Sequence, residues 1–107
     1  MKCRVTITSA AKADLREIFR YVEQHDGVGP ADTLVNGIEQ TITSLASIPQ
    51  RGHYPPELAI IGIREFREIH FKPYRIIYSL HQEEVIVHCV LDGRRDMQTL
   101  LQQRLLR

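Results

Sequence analysis

Apolar positions along the chain keep two different rhythms. Residues 2–8 alternate and favour β-branched types, the pattern of a half-buried strand. After Ser9, read as an N-cap, the rhythm turns helical, with Ala11, Leu15, Ile18, Phe19 and Val22 on one face and an end expected near Gly27. Gly29-Pro30 restarts the chain, proline suiting the first helical position because its missing N–H would lack a partner there. Ala31, Leu34, Val35, Ile38, Ile42, Leu45 and Ile48 then form a second apolar stripe, closed by Pro49. The short connection makes the two helices an antiparallel hairpin.

Residues 49–61 hold Pro49, Pro55, Pro56 and Gly52 and read as a loop with room for a turn of helix. Three strand-like runs follow, about Ile63 to Phe71, Tyr74 to Leu80 and Val85 to Leu91. Gaps this short admit only hairpins, so the runs form an antiparallel meander. Met97, Leu100, Leu101 and Leu105 return to helical spacing in a short C-terminal helix that can pack on the sheet. The order predicts one α+β domain over residues 1–107, with a helical hairpin on one sheet face and the opposite face at least partly open. On the middle strand Tyr74, Ile76, Tyr78 and Leu80 share the core face, which turns Arg75, Ile77 and Ser79 to the other.

Composition narrows the class without naming a function. With 107 residues, 43% apolar and 25% charged, the chain is of a size and balance that folds alone without disulfide or metal. No apolar run is long enough for a membrane helix and no secretory h-region precedes the first strand, so the cytoplasm is expected. A net charge of +1 argues against coating nucleic acid by bulk electrostatics. Cys3 and Cys89 read as buried thiols; neither has zinc-ligand spacing, and a disulfide would require neighbouring strands.

Candidate chemistry gathers in the C-terminal half. Arg75, inside an apolar strand, is either solvated, paired with Glu65 or Glu68, or an anion contact. Arg94-Arg95-Asp96 stands where the last strand hands over to a helix: Asp96 suits the helix start, and the arginines suit a phosphate or a partner's carboxylate. His25, His53, His70, His81 and His88 are scattered; His70 and His88 can approach the face of Arg75, but no ligand spacing or phosphate loop occurs. No metal or cofactor is therefore expected. The charges of Asp14, Arg16 and Glu17 are read as a solvated helix face.

The run Ala13 to Val22, Leu45 to Pro49 with Gly52, Ile63-Arg64-Glu65-Phe66, Tyr74-Arg75-Ile76-Ile77-Tyr78 and Gly93-Arg94-Arg95-Asp96 before Leu100, Leu101, Arg104 and Leu105 together resemble the RelE/ParE toxins of bacterial toxin–antitoxin pairs. The resemblance spans nearly the whole chain and implies two activities. RelE-type members cleave messenger RNA on the ribosome without metal, using basic residues of the open sheet face and a C-terminal acid; ParE-type members poison DNA gyrase. Arg75 and Arg95 match the RelE-type arginines, yet Phe66 and Glu68 stand where basic residues are expected and Leu101 where a tyrosine is. These departures favour the ParE side, with a ribosome-dependent RNase or an inactive relative as alternatives. Arg64, Arg67, Arg75, Arg94, Arg95 and Asp96 are then candidate contacts to target or antitoxin. The implied partner is a ParD-like ribbon-helix-helix antitoxin, joined in a hetero-oligomer.

Overall fold

In the computed structural model, which describes residues 2–106, the strands are β1 (Arg4–Ile7), β2 (Arg67–Phe71), β3 (Tyr74–His81) and β4 (Glu84–Asp92). The helices are α1 (Ser9–Asp26), α2 (Val28–Thr43), a single turn α3 (Pro56–Ala59) and α4 (Met97–Leu105). The sheet order is β1-β4-β3-β2, with β1 parallel to β4 and the other pairs antiparallel. The α+β architecture expected from the sequence is thus present.

Local chemistry moves several boundaries. Thr8, not Ser9, caps α1: its backbone is extended and its hydroxyl accepts the Ala11 N–H at 3.1 Å, while its own N–H closes the β1 ladder on the Val87 carbonyl. Gly27, at φ 97°, both ends α1 and starts α2, so Pro30 falls within the first turn of α2, where no N–H partner is lost. The apolar stripe outlasts α2. Thr41 and Thr43 hydroxyls bond back to the Gly37 and Glu39 carbonyls at 2.9 Å, and the chain tightens into a 3₁₀ turn at Ser44–Ala46, leaving Ile48 exposed. β2 begins at Arg67 rather than Ile63, because Ile63 and Phe66 both pack inward and cannot alternate.

The core face of β3 is as its alternation predicts. Tyr74, Ile76, Tyr78 and Leu80 meet Ala11 and Leu15 of α1 and Ile38 and Ile42 of α2. The other face differs from the expectation of an open surface. Ile77, Cys89 and Leu91 are roofed by Leu58 of α3 and by Met97 and Leu101 of α4, with Ile63 and Phe66 at the margin. A bulge makes this two-sided burial possible: Ile77 pairs with Cys89 but Tyr78 with Val87, so His88 is the extra residue, and beyond it Val90 turns to the first core while Cys89 and Leu91 turn to the second.

Tyr78 pins the proline-rich segment to the sheet. Its hydroxyl donates to the Pro49 carbonyl at 2.6 Å and accepts the Gly52 N–H at 3.1 Å. A Cβ on residue 52 would stand 2.5 Å from that oxygen, so only glycine fits. Both cysteines are free, and the parallel register sets them about six residues apart along β4, roughly 20 Å. No disulfide can join them, and burial pushes the Cys89 thiol up to about 12.

Candidate functional site

The arginines singled out in the sequence separate into two places. Arg75 lies on the roofed face. Its Nη1 and Nη2 donate to Glu57 Oε2 and Oε1 at 2.8 and 2.7 Å, and its Nε donates to Glu68 Oε1 at 2.5 Å. The Glu68 side chain is only 1% exposed and that of Arg75 13%. Hydrogen bonds to Glu57, ahead of those to Glu68, raise the guanidinium's already high pKa, and the same contact holds the Glu57 carboxyl below its ordinary value. Of the two partners the sequence offers Arg75, Glu65 and Glu68, the structure supplies Glu68, and it adds Glu57 from the proline-rich segment. Gly93 makes room for the stem, since a Cβ there would lie 2.7 Å from Arg75 Cδ.

Arg94 and Arg95 line a cleft of about 250 Å³ beside α1, together with Tyr21, Tyr74, Asp14 and Glu17. Arg94 is bound in bidentate fashion to Asp92, at 2.9 and 2.6 Å, which draws the Asp92 carboxyl below its usual range. Among the described residues, Arg95 and Arg64 make no ion pair, and both are exposed. Asp96 caps α4, accepting from the Thr99 N–H at 3.2 Å and the Thr99 hydroxyl at 2.8 Å, and so is occupied with the helix rather than with an arginine. Arg67 braces the segment before it: Nη1 donates to the Gly52 carbonyl at 3.0 Å, and its guanidinium carbon stands 4.9 Å from the centre of the Tyr54 ring.

Other polar constellations escaped the sequence reading. Asp14 is buried rather than solvated. Its Oδ2 accepts the Val90 N–H at 2.9 Å, and Arg104 grips the carboxylate at 3.0 and 2.9 Å while also donating to the His88 carbonyl at 3.2 Å. The reason lies in the sheet: β1 ends opposite Val87, so the outer edge of β4 beyond it has no strand, and this pair satisfies the orphaned backbone groups. Ser79, buried, stands 2.8 Å from Nε2 of both His81 and His88; burial, then the charge of His81, lowers the His88 pKa. His53 is held opposite Glu68 by an isolated bridge, and with His70 it surrounds that carboxylate.

Leu101 and Phe66, at positions where the nuclease reading needs an acid and a base, belong to the second core, and the arginine of the middle strand is already filled by two carboxylates. The model of the family described as ParE toxin of type II toxin-antitoxin system, parDE, matches residues 5–97, and the chain belongs to that family. It is 33% identical over 94 residues to Toxin ParE3 of Caulobacter vibrioides, covering 88% of this chain and 90% of that protein. Among solved structures, a chain of the chromosomal ParDE TA system from P. aeruginosa shares the fold with a TM-score of 0.70 at 18% identity, over 83% of this chain and 94% of that one.

Proposed function

We propose that this toxin-family chain acts by binding and inhibiting DNA gyrase and is neutralised by a cognate ParD-like antitoxin. The observation that carries the reading is the occupied guanidinium of Arg75. An RNA phosphate at that position would have to displace Glu57 and approach the buried carboxylate of Glu68, an unfavourable exchange of partners for an anion. The exposed arginines Arg64 and Arg95 remain available as contacts to a protein target, and Arg94, although paired with Asp92, has a side chain 74% exposed that can share a partner's carboxylate.

The antitoxin's expected place is the helical hairpin. A groove of about 370 Å³ beside the end of β1 is lined by Ile7, Leu15, Phe19 and Val35, with two cations, Lys12 and Arg16, and one acid, Glu39, at its side. An apolar segment carrying acidic residues matches this lining and would order on binding. No helix among the described residues is long and apolar enough to cross a membrane.

The test is a supercoiling assay with purified, folded chain and purified gyrase. Inhibition with accumulation of cleaved DNA, relieved by the antitoxin from the adjoining reading frame, is the expected result. Unimpaired supercoiling at excess protein refutes it, and codon-phased cuts in translated messages would instead establish the RNase alternative.

A further inference from the structure

We propose that His53, Glu68 and His70 form a binding site for a single Zn²⁺ ion. His53 Nε2 lies 3.0 Å from Glu68 Oε2, and His70 Nε2 lies 3.4 Å from Glu68 Oε1. All three donors fall within 4.8 Å of one another. In a tetrahedral site with Zn–N and Zn–O bonds of about 2.0–2.2 Å, donors stand roughly 3.4 Å apart. Each imidazole already stands near that distance from one oxygen of the carboxylate, His53 from Oε2 and His70 from Oε1, so a small side-chain adjustment brings the three donors onto one ion.

The backbone holds this geometry in place. His53 N–H donates to the Glu68 carbonyl at 3.1 Å, Glu68 N–H returns to the His53 carbonyl at 2.7 Å, and His70 follows two residues along the same face of β2. Gly52, fixed by Tyr78, sets the approach of the His53 segment. No short ligand spacing announces the site in the sequence, because His53 arrives through a bridge between distant segments.

Charge and access agree with a cation. Glu57 and Glu68 against Arg75 leave one net negative charge beside two imidazoles, which contribute no charge in the neutral form a metal requires. Arg75 Nε holds Glu68 Oε1 and so orients the carboxylate, while its two-point grip on Glu57 offsets its own repulsion of an incoming ion. The carboxylate is buried, but the His53 and His70 side chains are 60% and 39% exposed, which gives the ion an entry path and leaves its fourth position to water. Two imidazoles and one carboxylate suit zinc rather than magnesium or calcium.

The experiment uses the full chain without a histidine tag, stripped with chelator and titrated calorimetrically with ZnCl₂. One saturating equivalent is expected, with His53→Ala and His70→Ala each weakening binding by at least about tenfold and His81→Ala and Cys3→Ser leaving it unchanged. Circular dichroism of each variant reports its fold, and Co²⁺ substituted for Zn²⁺ should give the visible absorption of a four-coordinate site in the parent chain. Absence of saturable one-to-one binding in the parent chain, or its persistence in the His53→Ala/His70→Ala double variant, overturns the proposal.

Discussion

Replacing Arg75 by methionine distinguishes a contact from a stabilising counter-ion. Methionine keeps an unbranched stem in the space beneath Gly93 and removes the charge, stranding Glu68, whose side chain is 1% exposed. Removing one partner of a buried pair costs about 3–5 kcal/mol. The lower end applies here, about 3 kcal/mol, because Glu57 reaches solvent more readily and His53 and His70 remain beside Glu68. For a domain of this size each kcal/mol shifts Tm by about 4–8 °C, so a fall of roughly 12–24 °C is expected. Urea unfolding followed by circular dichroism gives the free energy directly. The double variant Glu68→Gln/Arg75→Met should recover a large part of the loss, since it removes the stranded charge, whereas Arg95→Ala should stay within about 0.5 kcal/mol of the parent. Stability of Arg75→Met within about 0.5 kcal/mol of the parent, combined with lost gyrase inhibition, would refute the reasoning and make Arg75 a free contact.

Asp14→Ala should cost about 3 kcal/mol in the same unfolding assay, because the Val90 N–H loses its acceptor and Arg104 its partner; Arg104→Met should be strongly non-additive with it, and independent effects would count against a coupled pair. Acidification should lower Tm in two stages. Burial depresses the folded pKa of His88, so stability is lost as pH falls below the ordinary histidine value of 6.5; the Arg75 hydrogen bond depresses that of Glu57, so its contribution, present above the ordinary 4.5, is lost as pH falls through the folded value. Glu57→Gln should flatten only the lower stage, and a Tm profile unchanged by that substitution would contradict the assignment.

The parts of the molecule legible in the sequence are those set by local period. Alternation alone turns Tyr74, Ile76, Tyr78 and Leu80 to one side, and the packing agrees because a strand between two neighbours has no other way to sort its side chains. The same reasoning puts Arg75 on the opposite face, but it says nothing of Glu57, which comes from a proline-rich segment placed by Tyr78 and Gly52 rather than by any periodic pattern. It also cannot foresee the bulge at His88, which depends on the mismatch between paired strands and not on either strand alone.

Asp14 is a different kind of miss, because its signal was present. It stands three residues after Ala11 and four before Ile18, on the apolar stripe of α1, and Arg104 stands four after Leu100 and three after Leu101, on that of α4. A charge on a buried stripe is costly unless it is paired, so two opposite charges so placed on different helices imply each other. Here they meet over the unprotected edge of β4 and take the two backbone groups that the short β1 leaves without partners. The same rule applied to Arg75 requires a buried acid on the second face, and Glu68, alternating into that face on β2, is where it falls. Charges that interrupt an apolar period are therefore first candidates for internal ion pairs, and the contacts that reach another molecule are to be sought among arginines outside the periods, at Arg64, Arg94 and Arg95.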